Sequence, residues 1–166
     1  MRILLLMLFL TFSDSSVMAL EVDDLSVSCP AIMEEEKVPL NLQKFRGKVI
    51  YLDFWATWCP PCMKSMPFLN SLRNELVEQG FEIIAISVDE EPEDARKFLR
   101  QYPIDYLIAI DSTGQCPKTY DVKAMPSAYF IDRKGVVRYI HLGFREGDKE
   151  EIRRRVLELL AENEGK

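Results

Sequence analysis

The feature that most constrains this chain is a pair of cysteines placed between two segments of different periodicity. Residues 48–54 form an apolar run rich in β-formers, which predicts a buried strand. Residues 60–79 repeat their apolar side chains at helical spacing and are followed by Gly80, which predicts a helix that ends there. Cys59 and Cys62 lie at the junction, so the first falls at the helix N-cap and the second lies one turn further on.

A C-x-x-C pair at a strand–helix junction is a redox motif with a physical basis. The positive end of the helix and its unpaired amides stabilise a thiolate at Cys59, which makes this exposed cysteine the nucleophile. Cys62 lies within disulfide reach and is expected to resolve the mixed disulfide that the first attack forms. Pro61 removes one first-turn amide, which predicts a Cys59 pKa near ambient pH and a more reducing pair. The chemistry alone does not set the direction of transfer.

Two other interpretations of the pair were open from the residues alone. A zinc site would need further close ligands, whereas Cys29 and Cys116 stand alone and His141 is the one histidine of the sequence. A purely structural disulfide is disfavoured, because a disulfide that closes a short loop beside two tryptophans stabilises a fold little and reacts readily. Cys29 and Cys116 either form a second disulfide or remain buried free thiols.

The rest of the chain alternates between strand and helix patterns. The continuous apolar run at 81–88 indicates a strand buried on both faces, as in a parallel sheet. The alternation, followed by a hairpin and a last helix, predicts an α/β fold with a mixed central sheet flanked by helices and an N-terminal strand pair. The other predicted strands are 22–28, 37–40, 107–110, 127–131 and 136–142, and the other helices are 93–100, 115–120 and 148–161.

The first nineteen residues have the layout of a secretory signal peptide. Arg2 precedes an apolar run at 3–12, and the small residues that a signal peptidase reads end at Ala19. Cleavage after about Ala19 would leave residues 20–166 as a single domain. An uncleaved membrane anchor is the alternative, although a run of about ten residues is half of what a bilayer requires. The net charge of −6 does not favour binding to nucleic acid or to anionic lipid.

The junction resembles the active site of the thioredoxin superfamily, on the run FWATWCPPC at residues 54–62. It is similar in particular to the extracytoplasmic TlpA, ResA and CcmG-like thiol–disulfide oxidoreductases. The resemblance covers about residues 25–165 and implies a thioredoxin-like domain with an extra βα insertion between Ile84 and Ile110. Further matches, in the same order, are Lys44–Lys48, Pro67, Tyr120–Val122, Ala124–Ser127 and Phe130–Asp132 followed by Gly135.

This resemblance implies substrate-binding residues and a cellular role. It implies a cis peptide at Met125-Pro126, beside which an extended client pairs with the backbone, and adds Trp58 to the client-binding residues. It suggests a periplasmic protein-disulfide reductase without cofactor, monomeric, that receives electrons from a membrane thiol reductase. Apocytochrome c is the client that the resemblance suggests, with general thiol repair or copper assembly as equal possibilities.

Asp53 interrupts the apolar strand that leads to the cysteines. By alternation it shares a face with Trp55, and a buried carboxylate without a partner has a raised pKa. Thioredoxin has an aspartate at the matching position, held to assist deprotonation of the second cysteine, whereas many exported relatives carry a glutamate where this chain has Ser65. We therefore expect Asp53 to accept the proton of Cys62, directly or through water. The alternative is a solvated aspartate at the strand end.

Two functions of other classes compete with the reductase. A peroxiredoxin-type thiol peroxidase needs the pattern P-x-x-x-T-x-x-C, whereas Thr57 is two residues before Cys59 and the upstream proline is missing. A non-catalytic metal chaperone needs differently spaced cysteines or histidine and methionine ligands. A peroxide-consumption assay and a metal titration of the reduced protein distinguish these functions from disulfide reduction.

Overall fold

The central sheet and its helices follow the predicted order. A computed structural model describes residues 20–162, and the predicted signal peptide at 1–19 lies outside these described residues. The strands are β1 Ile32–Met33, β2 Val49–Trp55, β3 Phe81–Ser87, β4 Leu107–Ile110, β5 Ser127–Ile131 and β6 Val137–Leu142. The helices are α1 Pro60–Leu76, α2 Pro92–Gln101, α3 Gln115–Thr119 and α4 Asp148–Ala161. Short 3-10 turns occupy Leu42–Phe45 and Val77–Gln79.

The sheet is mixed, with strand order β1-β4-β3-β2-β5-β6. β2, β3 and β4 are parallel, whereas β1, β5 and β6 each run antiparallel to their neighbours. Trp55 and Ser87, the last residues of β2 and β3, are partners in the register. The carboxyl ends of the two central parallel strands therefore meet at one edge of the sheet, where ligand sites of such folds lie.

Helices and segments cover both faces of the sheet. β2 and β3 are buried along their whole length, as the apolar runs predict. Tyr51 and Trp55 of β2 face one core cluster, which α1, α2 and α4 complete. Leu52 and Phe54 face the other cluster, which is built with α3 and residues 29–42. Asp53 lies between Leu52 and Phe54, so by alternation its side chain points to the opposite face of the sheet, which α1 covers.

The N-terminal strand pair is where the prediction was wrong in its extent. Segment 22–28 makes one bridge, from Leu25 to Val136, and segment 37–40 makes one bridge, from Pro39 to Ile32. Asp23 adopts φ 74° and Lys37 adopts φ 56°. These left-handed residues bend the backbone away from extended geometry, so neither segment continues as a strand. The paired strand at this edge is β1.

The helix that follows the cysteines ends as its sequence predicts. A 3-10 turn follows α1, and Gly80 then adopts φ 91°, the left-handed conformation that terminates helices. This ending sends the chain directly into β3. Within residues 20–162, no helix is both long enough and apolar enough to cross a membrane.

Candidate active site

Cys59 and Cys62 form a disulfide at the first turn of α1. Cys59 is the N-cap, with extended backbone angles, and its Sγ lies 3.3 Å from the amide nitrogen of Cys62. Pro60 and Pro61 occupy the first two helical positions and have no N–H. Of the first three helical residues, only Cys62 therefore has an amide that can bond this sulfur.

Cys59 is less exposed than we expected for the attacking residue. It is 4% exposed in the disulfide form, and Cys62 is completely buried behind it. Cys59 reaches solvent through a groove of about 440 Å³, which explains the low exposure because the groove walls stand around the sulfur. The groove walls include Trp58, Pro61, Val88, Pro117, Val122 and Met125.

The residues that the resemblance assigns to client binding lie together at this groove. The Met125-Pro126 peptide bond is cis, as expected, and both Met125 and Trp58 line the groove. The Trp58 side chain is 66% exposed, whereas Pro126 is buried at the start of β5. The structure thus brings an exposed aromatic surface and the loop before β5 to the same sulfur.

Asp53 lies in the middle of the sheet, where it is 2% exposed. Its neighbours in the register are Ala85 on β3 and Ala128 on β5, whose small side chains leave the carboxyl group uncrowded. Oδ1 has no hydrogen-bond partner within the described chain. Burial raises the pKa of Asp53 to about 8, although a hydrogen bond from the Phe54 backbone opposes the shift. The solvated alternative is therefore wrong, and the proton-acceptor role remains a prediction.

This raised pKa predicts that Asp53 destabilises the folded protein at alkaline pH. Because the folded pKa is about 8 and the ordinary value is 3.8, the unfolded state loses the proton first as pH rises, so stability falls between about pH 4 and pH 8. We expect Asp53→Asn to raise the free energy of unfolding at pH 8 by about 5 kcal/mol, at 1.36 kcal/mol per pKa unit. At pH 4 the gain should be close to zero.

Urea unfolding of the disulfide form at pH 4, 6 and 8 measures this effect. The matched control is Asp94→Asn, which removes the same group from an exposed position on α2. A gain for Asp53→Asn that did not change with pH would contradict the raised pKa.

Ser65 occupies the position where many exported relatives carry a glutamate. Its side chain is 2% exposed, and its hydroxyl donates to the carbonyl oxygen of Cys62 at 2.8 Å. A hydroxyl bonded within its own helix is not a base at neutral pH. The structure therefore leaves Asp53 as the candidate that the sequence proposed for proton transfer.

The sequence analysis missed a buried network beside the cysteines. Asp89, just after β3, accepts hydrogen bonds from the backbone and hydroxyl of Thr57 and from the hydroxyl of Ser87. The Thr57 hydroxyl donates its hydrogen to Asp89, so it is not directed at the cysteine as the threonine of a peroxidase motif would be. The available signal was an acidic residue directly after a buried parallel strand, at the edge where such strands end.

The second cysteine pair forms the disulfide that the sequence left open. Cys29 and Cys116 are bonded across a separation of 87 residues, and their exposures are 7% and 0%. This bond joins the N-terminal segment to α3. All four cysteines are thus paired, and residues 20–162 contain no group of three or more acidic, histidine or cysteine side chains arranged to hold a metal.

The fold and the site together define a thioredoxin-like protein with a disulfide at the N-terminus of its first helix. Such an arrangement can exchange disulfides, because one sulfur faces a groove and the second stands behind it.

The chain belongs to the Redoxin family, whose model matches residues 25–157. It is 40% identical over 106 residues to the thiol-disulfide oxidoreductase ResA of Bacillus thuringiensis subsp. konkukian. That match covers 64% of this chain and 61% of the relative, so the chain spans less than two thirds of the relative's length.

Solved structures show the same relationship. A thiol:disulfide interchange protein DsbE from Chlorobium tepidum superposes with a TM-score of 0.82 at 38% identity, covering 86% of this chain and all of that one. The exposed lipoprotein thioredoxin of Streptococcus pneumoniae gives a TM-score of 0.66 at 26% identity, covering 78% of this chain and 98% of its own. The thioredoxin-like fold and the resemblance to the TlpA, ResA and CcmG-like group are thereby confirmed.

Proposed function

We propose that this protein is a thiol–disulfide oxidoreductase that works as a protein-disulfide reductase through Cys59 and Cys62. The observation that carries the proposal is a disulfide at a helix N-terminus whose outer sulfur opens into a groove. The ResA and DsbE relatives, named for thiol–disulfide chemistry, support the same activity.

The reaction proceeds by two exchanges. The Cys59 thiolate attacks a client disulfide, forms one S–S bond with it, and expels the other client sulfur as a thiolate. Cys62 then loses its proton, to Asp53 in our proposal, and attacks the Cys59 sulfur. The second client sulfur leaves, and the Cys59–Cys62 bond is restored. The client gains two electrons and two protons, and a dithiol donor reduces the protein again.

The helix start favours the reducing direction. A thiolate at Cys59 has one first-turn amide donor, from Cys62, because Pro60 and Pro61 lack the N–H groups that other residues would supply. A less stabilised thiolate has a higher pKa, and a dithiol form that is less stabilised gives up its electrons more readily.

The groove indicates the chemistry of the client. Its walls are mainly apolar and include Trp58, Val88 and Met125. Lys123, which forms an ion pair with Asp121, also lines the groove. An extended client segment with apolar residues beside its cysteine fits these walls, pairing along the loop before β5. Apocytochrome c, which carries cysteine pairs for heme attachment, is the client that we propose. The further proposals are export to the periplasm, electron supply from a membrane thiol reductase, and a monomeric state.

Trapping with Cys62→Ser tests the client proposal. Without the resolving thiol, the mixed disulfide on Cys59 persists and can be isolated with the client attached. We expect attached proteins that contain C-x-x-C-H segments, recovered from the periplasm and released by reductant. The control is the double variant Cys59→Ala and Cys62→Ser, which should capture nothing. Other thiol proteins would replace the cytochrome assignment by general thiol repair, and an empty Cys62→Ser trap would contradict the activity itself.

A further inference from the structure

Asp89 is a buried carboxylate held entirely by neutral donors. It is 3% exposed, and Oδ1 accepts the Thr57 amide at 3.1 Å and the Thr57 hydroxyl at 2.7 Å. Oδ2 accepts the Ser87 hydroxyl at 2.8 Å. Both carboxyl oxygens thus accept hydrogen bonds from uncharged groups of Thr57 and Ser87.

Burying a carboxyl group costs free energy, and the fold alone does not require such a group at this position. Removing a carboxylate from water costs several kcal/mol unless hydrogen bonds compensate, and an apolar side chain fills the same space without that cost. What an apolar residue cannot do is hold both polar groups of Thr57. The residue at this position is therefore explained by what it holds, and Thr57 precedes Cys59 by two residues.

We infer that Asp89 is a positioning residue for Cys59, acting through Thr57 on the loop that presents Trp58 and the reactive sulfur. The ends of this loop are fixed as well, because the Val88 amide donates to the Trp55 carbonyl at 2.9 Å. The Cys59 amide donates to the Ala56 carbonyl at 3.1 Å. Together with the hydrogen bonds from Thr57 to Asp89, these two bonds fix residues 55–59 relative to the end of β3.

The same contact joins the Asp89 carboxyl group to a residue two positions before the reactive cysteine. Thr57 and Cys59 are at most about 7 Å apart between Cα atoms, and Asp89 touches Thr57. A nearby negative charge opposes formation of a thiolate and so favours the reducing pair. In this proposal Asp89 has two effects. It holds the loop in place, and its negative charge makes the Cys59 thiolate less stable. Lys123, which lines the groove and pairs with Asp121, and the buried Asp53 on β2 are left unchanged in the test.

The pH dependence of Cys59 alkylation by iodoacetamide tests the inference. In reduced protein of the Cys62→Ser background, we expect Asp89→Asn to lower the midpoint by about half a unit or more, because it removes the charge and keeps the shape. The matched control is Glu90→Gln, which removes an equal charge from an exposed side chain next in the sequence. It should move the midpoint much less. Equal midpoints in Asp89→Asn and the parent protein would overturn the electrostatic part.

A pair of substitutions at Thr57 tests the positioning part and does not depend on the folding of any Asp89 variant. In the otherwise unchanged protein, we expect Thr57→Val to lower kcat/KM for insulin disulfide reduction about tenfold, since a lost buried hydrogen bond is worth about 1.4 kcal/mol. Thr57→Ser keeps the hydroxyl and should restore the parent rate. Equal rates for the two variants would overturn the positioning role, as would a fall in melting temperature without a change in rate.

The inference rests on the proposed exchange chemistry, but the two can fail separately. Alkylation reports the Cys59 thiolate without any client or disulfide substrate. A parent protein that reduced no disulfide, yet showed the expected shift for Asp89→Asn, would contradict the function and leave the influence of Asp89 on Cys59 standing.

Discussion

Cys59→Ser is expected to lower the rate of insulin disulfide reduction by at least about a thousandfold, because it removes the nucleophile on which both exchange steps depend. The hydroxyl of serine is not ionised at neutral pH and is a much weaker nucleophile than a thiolate. Turbidity from precipitating insulin chains, with dithiothreitol as electron donor, measures the rate above the uncatalysed background. The fold should persist, since serine differs from cysteine by one atom and the Cys29–Cys116 bond is unaffected.

Cys62→Ser is the control that separates attack from resolution. It keeps Cys59, so the protein should form one mixed disulfide per molecule and then stop, which a single-turnover measurement detects as a burst. If Cys59→Ser reduced insulin as fast as the parent protein, the assignment of the nucleophile would be wrong.

The second large effect concerns stability. Replacing Cys29 and Cys116 together by alanine is expected to lower the free energy of unfolding by about 4 to 5 kcal/mol. The bond closes a loop of 87 residues, and a crosslink restricts the unfolded chain more when the loop is longer. Typical domains have about 5 to 15 kcal/mol in total, so the variant should be close to unfolding at 37 °C.

Urea unfolding under oxidising conditions measures the loss. The matched control replaces Cys59 and Cys62 by alanine, which removes a bond across a sequence separation of only 3 and should cost less than half as much. Similar losses for the two double variants would show that loop closure is not the source of the stability.

The parts of the site that the sequence predicts are those set by local rules. Cys59 and Cys62 lie between a strand and a helix, and the positions of both elements follow from their own periodicity. The burial of Asp53 follows from alternation along β2. In each case a short window of residues contains the cause, so no knowledge of the rest of the chain is needed.

The parts that escaped prediction depend on contacts between distant segments. Thr57 and Asp89 are 32 residues apart and meet because β2 and β3 are parallel and end in register. Cys29 and Cys116 are 87 residues apart and meet because both lie in the same core cluster. The predicted strand at 22–28 failed for a local reason, since apolar alternation alone does not show that Asp23 turns the backbone.

The sheet separates the two disulfides. Cys59 and Cys62 belong to the cluster on one face, whereas Cys29, Cys116 and Tyr120 belong to the cluster on the other. Tyr120 also donates its phenol hydrogen to the carbonyl of Val27, at 2.5 Å, which anchors the start of the loop that leads to the groove. Under the proposed exchange, the Cys59–Cys62 bond can therefore open and close in one cluster while the Cys29–Cys116 bond in the other cluster stays intact.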